Sequence, residues 1–372
     1  MVHSKMGTKI VCPNDGSTNV RWDIGRGKMR CEACRHEFEV VAPAVVDGES
    51  MFNGIMVDGK IAADLAVPEE IAEYACKGCG AKVILDKRTS MGARCSWCRN
   101  ELVMDKVIGT EFTPNGIVPF GITREKALGA FRKWVKKRWF VRRDFGSQDA
   151  DIEVKAIYYP FYVVDRSLEH VEKATGSTSS SYRSGNYIVT NYKDYALSAP
   201  VKMLVDDYEA VALGEVKNKL IVNQVQPWDW KLVRSFDYAY LNAFAAEHRD
   251  ITLVSAQEEI NRELEVTIKM SLNRAFSRAA NLGSVDVGEL DGVHRDEVAY
   301  CLAPVWLITY VDRKGGKIYY FAMNGQTGKV SGILPISWQK LVLFLAGLTL
   351  ISAGVTALVN VLYLVAVSRG GV

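Results

Sequence analysis

The sequence predicts an α+β protein in three parts: two cysteine-rich N-terminal segments, a central domain with mainly antiparallel strands, and one C-terminal transmembrane helix. Three observations support this organisation. Paired cysteines recur at matching intervals near the N-terminus, strand-like and helical patterns alternate in the middle of the chain, and residues 341–367 contain no charged side chain. With 372 residues, the chain is long enough for two or three domains.

The clearest motif is a pair of C-x-x-C knuckles. Cys76 and Cys79 form the first knuckle, and Cys95 and Cys98 form the second after fifteen intervening residues. Each knuckle predicts a tight turn that directs two thiolates toward one point, so a returning hairpin surrounds one tetrahedral zinc ion with four sulfurs. The alternative is two disulfides in an exported domain, which the lack of a signal-like N-terminus disfavours. We therefore predict a zinc ribbon with four cysteine ligands over residues 71–108.

The same pattern occurs upstream with one substitution. Cys12 opens the first knuckle, Asp15 stands at its second cysteine position, and Cys31 and Cys34 follow after the same interval of fifteen residues. Carboxylate is an accepted zinc ligand, so we predict a zinc ribbon over residues 1–40 whose ligands are three cysteines and one aspartate. A hard oxygen in place of a soft sulfur makes this the weaker of the two zinc sites.

Two alternatives remain open for the first ribbon. His36, two residues after Cys34, is another candidate for the fourth ligand, and the ribbon fold without metal is the second alternative. Metal is favoured because about 25 residues bury too little apolar surface to fold alone, whereas zinc adds about 10 kcal/mol or more of apparent free energy. Gly16 and Gly80 directly follow the first knuckles, where the turn requires a positive φ.

The composition and the remaining motifs exclude several function classes. A net charge of +3 does not by itself indicate a nucleic-acid partner. Seven of the eight cysteines lie in the ribbons, and the eighth, Cys301, has apolar neighbours and is predicted to be an inert buried thiol. The stretch NGQTGKV lacks Walker A spacing, and both zinc sites have four protein ligands with no open position. We therefore expect structural metal and no enzymatic activity.

The C-terminal segment predicts a tail anchor. At 1.5 Å per residue, a helix over residues 341–367 reaches about 40 Å, against about 30 Å for a hydrocarbon core. A buried core helix is the alternative, but this uncharged run is too long for one. Trp338 and Lys340 precede it, as interfacial anchors do. We predict the anchor over residues 338–367, followed by a short extracytoplasmic tail, residues 368–372.

The distribution of charge predicts the orientation of this anchor. The N-terminal side is rich in Lys and Arg, while Arg369 is the one basic residue on the far side. The positive-inside rule therefore places residues 1–340 in the cytoplasm, at the cell membrane, as a single-pass protein. Reduced, metal-type cysteines also indicate the cytosol.

The middle of the chain predicts a linker and an α+β domain. Residues 41–70 contain Gly and Pro but no cysteine, and we interpret them as the linker between the ribbons. In the domain, residues 109–337, we expect a strand at 154–165 with a proline at an edge or bulge. We also expect a flexible polar loop at 175–185 and three strands within 297–332.

Two helices are predicted in this domain. Thr123 caps the first helix, and Ser255 and Gly283 bound the second. The first has apolar residues at helical spacing: Ala127, Leu128, Phe131, Trp134, Val135 and Trp139. Most of the aromatic residues among them are predicted to lie in the core. The stripe predicted to pack the second helix on the sheet consists of Ile260, Leu264, Ile268, Leu272, Ala275 and Phe276.

The first helix also carries a basic cluster. Between Arg124 and Arg143, nine residues are basic and one is acidic. A solvated helix face, a surface for anionic lipid, and a surface for nucleic acid are the three interpretations, and the adjacent membrane anchor favours lipid over nucleic acid. The predicted basic surface consists of Arg132, Lys133, Lys136, Lys137, Arg138, Arg142 and Arg143.

Taken together, the chain resembles the bacterial membrane-anchored double zinc-ribbon proteins of the YdjG-like group. The resemblance rests on the ribbons, on the stretches VPFGITREKALGAFRKW, YYPFYVVD, LAPVWLITY and FAMNGQTGKVSG, and on the final helix. It implies a role in envelope maintenance or stress, with flotillin-like (SPFH) and TPM-domain membrane proteins as partners. Helicase-like or replisome labels for such proteins rest on the ribbons, and no ATPase motif supports them here. Asp15 departs from the family's all-cysteine pattern.

These inferences lead to two hypotheses. The first is a non-enzymatic, membrane-anchored adaptor or scaffold that recruits protein partners to the cytoplasmic face of the bacterial membrane. The alternative is a membrane-tethered zinc-ribbon protein that binds nucleic acid, which the basic cluster favours and the small net charge disfavours.

Overall fold

The computed structural model describes residues 2–3, 10–41, 69, 71–87, 93–107, 113–142, 145, 151–214, 219–242, 244–290, 294–312 and 316–369. The predicted fold class is confirmed. Two N-terminal cysteine clusters precede a central sheet rich in antiparallel pairs, and one apolar helix ends the chain. Almost all of the predicted linker at 41–70 lies outside the described residues.

The described residues form strands and helices in the following order. The strands are β1 (Val2–His3), β2 (Val20–Asp23), β3 (Lys28–Cys31), β4 (Glu37–Phe38), β5 (Val40–Val41), β6 (Ile71–Cys76), β7 (Lys82–Asp86), β8 (Leu102–Val107), β9 (Gly116–Ile117), β10 (Ile152–Ser184), β11 (Tyr187–Val211), β12 (Arg234–Ser235), β13 (Ala245–Glu247), β14 (Ser284–Val287), β15 (His294–Asp312), β16 (Lys317–Asn324) and β17 (Val330–Gly332). The α-helices are α1 (Arg124–Lys136), α2 (Lys219–Asn223), α3 (Leu253–Ala280) and α4 (Trp338–Arg369).

Strands β10 and β15 form the centre of the main sheet. They pair antiparallel from Ile152↔Tyr310 to Leu168↔His294, and the predicted three strands β15, β16 and β17 follow one another in the sheet. On the edge of β10 opposite β15, residues 157–158 pair with β13 and residues from 161 onward pair with β11. Pro160 lies between these two ladders, so its missing N–H interrupts neither of them. Its carbonyl oxygen accepts a hydrogen bond from the Ala212 backbone N–H at 3.0 Å.

Beyond the central pair, β10 and β11 continue as a long hairpin. Their pairing runs to Ser184↔Tyr187, and the chain turns at Gly185 with φ +60°. The predicted flexible loop at 175–185 is therefore wrong. Its Ser- and Thr-rich run pairs with a strand that contains many Tyr and Val residues, and such cross-strand pairs stabilise a strand whose own composition resembles a loop.

The helix boundaries follow side-chain caps. The Thr123 side chain accepts from the Lys126 backbone N–H, as predicted, but α1 ends before Trp139, which is 77% exposed. Phe131 and Trp134 pack in or against the core, and Trp139 is the aromatic residue of the predicted set that does not, because the helical periodicity ends with the helix. Helix α3 is capped by Thr252 rather than Ser255, and it ends at Asn281, which adopts a left-handed conformation two residues before Gly283.

The stripe on α3 is buried at every predicted position except one. Ala275 is exposed, and the other five side chains pack on β10, β11, β14 or the main core. Elsewhere in the sheet, Cys301 is 1% exposed and its burial raises its pKa to about 12, as expected for an inert thiol.

Helix α4 stands outside this core. Its segment Trp338–Val365 has a mean hydropathy of 2.3, and none of its most apolar window is buried among the residues that the structure describes. An apolar helix of 28 residues whose most apolar window is not buried by any described residue is compatible with a single membrane crossing.

Candidate metal centres

The second cysteine cluster brings four sulfurs together. The ligand atoms of Cys76, Cys79, Cys95 and Cys98 all lie within 4.8 Å of one another. The Sγ–Sγ distance is 3.3 Å between Cys76 and Cys98, and 3.5 Å between Cys79 and Cys95. Zinc–sulfur bonds of about 2.3 Å in a tetrahedron place sulfurs about 3.8 Å apart. The four thiols are free and lie near this spacing, so they fit one zinc ion.

The backbone of each knuckle explains how the sulfurs converge. The Gly80 N–H donates to the Cys76 carbonyl oxygen at 2.9 Å, and Gly80 has φ +77°, as predicted for a turn at this position. The second knuckle of this ribbon closes in the same way with Arg99 at φ +62°. In the first ribbon Gly16 and Arg35 take the same two places. The sequence did not predict the positive φ of Arg35 and Arg99.

In the first ribbon the Asp15 carboxylate joins three cysteines. Its oxygens lie 3.7 and 3.5 Å from Cys31 Sγ, and Cys12 Sγ lies 3.6 Å from Cys34 Sγ. These four ligand atoms also lie within 4.8 Å of one another. The His36 ring instead stacks beside Phe38, and His36 is not among the four clustered groups. The chemistry of the donor set, three thiols and one carboxylate, fits a second zinc ion.

Asp15 is held in its ionised form. The backbone N–H of Ser17 donates to Asp15 Oδ1 at 3.0 Å, and this bond, with contacts from Cys12, lowers the Asp15 pKa to about 2. Burial raises the pKa of the Cys12 thiol to about 11, and burial likewise raises that of Cys79 to about 11. Since zinc binds thiolates, loading either site releases protons.

The second ribbon is seated in the main domain. Strand β7 pairs with β13, so the ribbon's hairpin extends the central sheet. Trp97, inside the second knuckle, is buried, and its Nε1 donates to Glu247 Oε1 at 2.7 Å. Arg99 donates from Nη1 to Asp151 Oδ1 at 2.8 Å and from Nη2 to the Thr309 carbonyl oxygen at 2.9 Å. Arg99 Nε also lies 3.0 Å from Glu153 Oε2 of β10, so the knuckle that holds two thiols contacts β10, β13 and β15.

The first ribbon contacts the central domain through Trp22. Trp22 Nε1 donates to the Phe120 carbonyl oxygen at 3.0 Å, and its ring lies 5.8 Å from Tyr240 and under the Arg234 guanidinium at 4.9 Å. Asn242 Nδ2 donates to the Val20 carbonyl oxygen at 2.6 Å. The sequence predicted the four groups that cluster in each ribbon. It did not predict these contacts with the main domain, because each joins residues far apart in the chain.

The predicted basic surface is only partly a surface. Lys133, Lys136, Lys137 and Arg138 are exposed, and Arg132 is half-buried. Arg142 differs from the prediction, because its Nη1 lies 2.8 Å from Asp312 Oδ2, a carboxylate that is 8% exposed. The side chain is therefore directed inward by a buried acid. Arg143 lies outside the described residues.

Comparison with known proteins agrees with the resemblance inferred from the sequence. The chain is 29% identical over 272 residues to the uncharacterized protein YdjG of Bacillus subtilis (strain 168). The aligned region covers 73% of this chain and 76% of that protein. No family model matches the chain, and no solved structure matches it. The expected resemblance to the YdjG-like group is thereby confirmed, together with two cysteine clusters that fit two zinc sites.

Proposed function

We propose that this protein is a non-enzymatic adaptor, anchored by α4 in the cell membrane, that recruits protein partners on the cytoplasmic side. The observation that supports this most is a division of the molecule. Both ribbons pack against the central domain through Trp22 and Trp97. In contrast, one long hairpin extends beyond the central domain. The metal thus acts on stability, and the projecting hairpin is left to contact a partner.

Residues 178–193, here called the arm, form the outer part of this hairpin. After Ser177, which pairs with Ser284 of β14, the described β10 and β11 pair only with each other. Seven residues per strand extend about 23 Å. Within the described residues, the arm therefore has two unpaired strand edges, and most of its side chains are exposed.

The arm exposes large side chains of the kind found in protein interfaces. The exposed fractions are 55% for Tyr182, 77% for Tyr187, 77% for Ile188 and 73% for Tyr192. Tyrosine is enriched in interface cores because it buries a large ring at low conformational cost and retains a hydroxyl for hydrogen bonding. Flotillin-like and TPM-domain membrane proteins, implied by the resemblance, are the first partner classes to test.

The cytoplasmic placement rests on two arguments. Zinc thiolates persist in a reducing compartment, and the Lys- and Arg-rich flank of α4 lies on the ribbon side of the helix. This function requires no chemical reaction. When bound, zinc supplies a cross-link between two knuckles, and the protein's own residues supply the rest of each seat.

One observation favours the alternative, a membrane-tethered nucleic-acid binder, namely the exposed basic end of α1. The first ribbon gives it little support. The Lys and Arg side chains that the structure describes in this ribbon each lie beside a carboxylate, in the pairs Arg21–Glu32, Arg26–Glu37, Lys28–Glu39, Arg30–Asp23 and Arg35–Glu32. A gel shift with the detergent-solubilised full chain separates the two functions, since phosphate-driven binding weakens steeply between low and physiological salt.

The adaptor function is tested by cross-linking in living cells followed by purification of the full chain. The arm variant carries Tyr182→Thr, Tyr187→Thr, Ile188→Thr and Tyr192→Thr, because the β-branched threonine remains favourable in a strand. A matched control removes exposed apolar side chains from α3, with Val254→Gln, Val266→Gln and Met270→Gln. We expect a defined set of proteins with the wild type and the control, and its loss from the arm variant. An unchanged set with the arm variant would contradict recruitment by the arm.

A further inference from the structure

Hydrogen bonds join the segment that follows α1 to the start of α4. The Ser337 backbone N–H donates to the Phe140 carbonyl oxygen at 2.6 Å, and Val141 forms a β-bridge with Ile336. The Lys340 ammonium donates to the Val141 carbonyl oxygen at 2.5 Å. The base of the apolar helix is therefore fixed to the segment that follows α1, and this segment lies where the chain enters a membrane.

Two exposed tryptophans flank this junction. Trp139 precedes Phe140 and is 77% exposed, and Trp338 follows Ser337 and is 70% exposed. The sequence predicts that most aromatic residues of this stretch lie in the core, but the structure exposes the Trp139 side chain to solvent. Indole rings favour the headgroup level of a bilayer, where one edge is apolar and the N–H is hydrated.

Four exposed cations directly precede the junction in the chain. Lys133, Lys136 and Lys137 are exposed at the end of α1, and Arg138 is held over the Trp134 ring at 5.2 Å. Lys133 and Lys137 are one helical turn apart, about 6 Å along the axis. All four cationic residues fall within six consecutive positions of the chain.

No acid of the nearby sequence offsets these charges. Residues 126–142 and 326–369 contain neither Asp nor Glu. The neighbouring carboxylate, Asp312, is engaged by Arg142 through two hydrogen bonds of 2.8 and 3.2 Å. The cationic face therefore matches an anionic partner, and the partner nearest to it is the bilayer around α4.

We propose that Lys133, Lys136, Lys137, Arg138, Trp139 and Trp338 form a collar that binds the headgroups of anionic phospholipids in that bilayer. The cations contact lipid phosphates while the two indoles lie at the interface. The collar and the Lys340 contact together fix the body's orientation on the membrane, and so the direction in which the arm points. The inference rests on the membrane crossing by α4 that is part of the proposed function.

The test uses the purified full chain in neutral detergent, titrated with phosphatidylglycerol or with phosphatidylcholine of the same acyl chains. Native mass spectrometry counts the bound lipids. The collar variant carries Lys133→Gln, Lys136→Gln, Lys137→Gln and Arg138→Gln. The matched control removes the same charges from exposed sites on the long hairpin, with Lys173→Gln, Arg183→Gln, Lys193→Gln and Lys202→Gln.

We expect the wild type and the control to prefer phosphatidylglycerol. The collar variant should lose at least about tenfold in affinity for it, since each basic residue near an anionic surface contributes about fivefold. The Trp139→Ala variant should weaken binding of both lipids. Equal affinities for the two lipids, or a loss in the hairpin control as large as in the collar variant, would overturn the collar.

A second measurement locates the contact and separates the possible failures. In nanodiscs, the amides of residues 137–142 should exchange more slowly with phosphatidylglycerol than with phosphatidylcholine, and the collar variant should abolish this difference. If short duplex DNA protects the same amides in neutral nanodiscs and anionic lipid does not, the surface binds nucleic acid and the proposal is wrong. Extraction of the chain by carbonate would refute the membrane crossing itself. A chain that resists carbonate but shows no lipid preference refutes only the collar.

Discussion

The indole of Trp97 donates to the carboxylate of Glu247 at 2.7 Å, across 150 residues of sequence. Trp97 lies between the thiols of Cys95 and Cys98, and Glu247 lies on β13 of the main sheet. Both side chains are buried. The contact therefore links the metal-binding knuckle to the body, and a change on either side should affect the other.

The first prediction follows from that link. Trp97→Phe keeps most of the apolar contact but leaves Glu247 without its indole donor. Because an unsatisfied buried acceptor costs about 1–3 kcal/mol, the free energy of unfolding should fall by that amount. Chemical denaturation of the full chain in detergent measures this, with Trp338→Phe as a control at an exposed tryptophan. Equal stabilities of the two variants would show that the contact is not needed.

Glu247 also predicts a pH dependence. Burial raises its pKa to about 7 from an ordinary value of 4.5. Since the folded state binds the proton more tightly than the unfolded state, stability declines as the pH rises from about 4.5 to about 7. Glu247→Gln cannot ionise, so it should stabilise the protein relative to wild type at pH 8, by about 3 kcal/mol, with the advantage shrinking toward pH 5. A variant that is less stable than wild type at pH 8 would contradict this assignment.

Much of the fold was predictable because its signals are local. Cysteine spacing gave both ribbons, the Thr123 cap gave the start of α1, and the uncharged run gave α4. The contacts between the ribbons and the central domain were not predictable, because Trp22 and Trp97 bind residues that only tertiary folding brings near. The arm was missed for a different reason. Its Ser-rich strand is stabilised by pairing with β11 and not by its own composition.

The same distinction explains the partial success at the basic cluster. Helical spacing identifies which cations share α1, but Arg142 lies beyond the helix and is directed inward by Asp312, which lies 170 residues away. Asp312→Asn should therefore destabilise the protein and leave lipid or nucleic-acid binding unchanged. Melting temperature and lipid counting on the same sample check both parts of this prediction, and altered binding with unaltered stability would refute it.

Topology provides a further prediction. Residues 1–340 should be cytoplasmic, with Arg369 on the outer side of the membrane. Protease added to intact spheroplasts should leave the ribbons uncut, and the same protease should digest exposed sites after lysis. Cleavage of the ribbons before lysis would show that the orientation is reversed.

The zinc content of the full chain tests the central claim most directly, since both ribbons are proposed to be closed structural sites. Elemental analysis of the purified protein should find two zinc ions per chain, one for each ligand group. Asp15→Ala should release one ion, and Asp15→Cys should hold it more tightly against a chelator, because sulfur replaces a hard oxygen. His36→Ala should retain both. One ion per chain, unchanged by Asp15→Ala, would show that the first ribbon holds no metal, and loss of an ion from His36→Ala alone would show that His36 is the ligand instead.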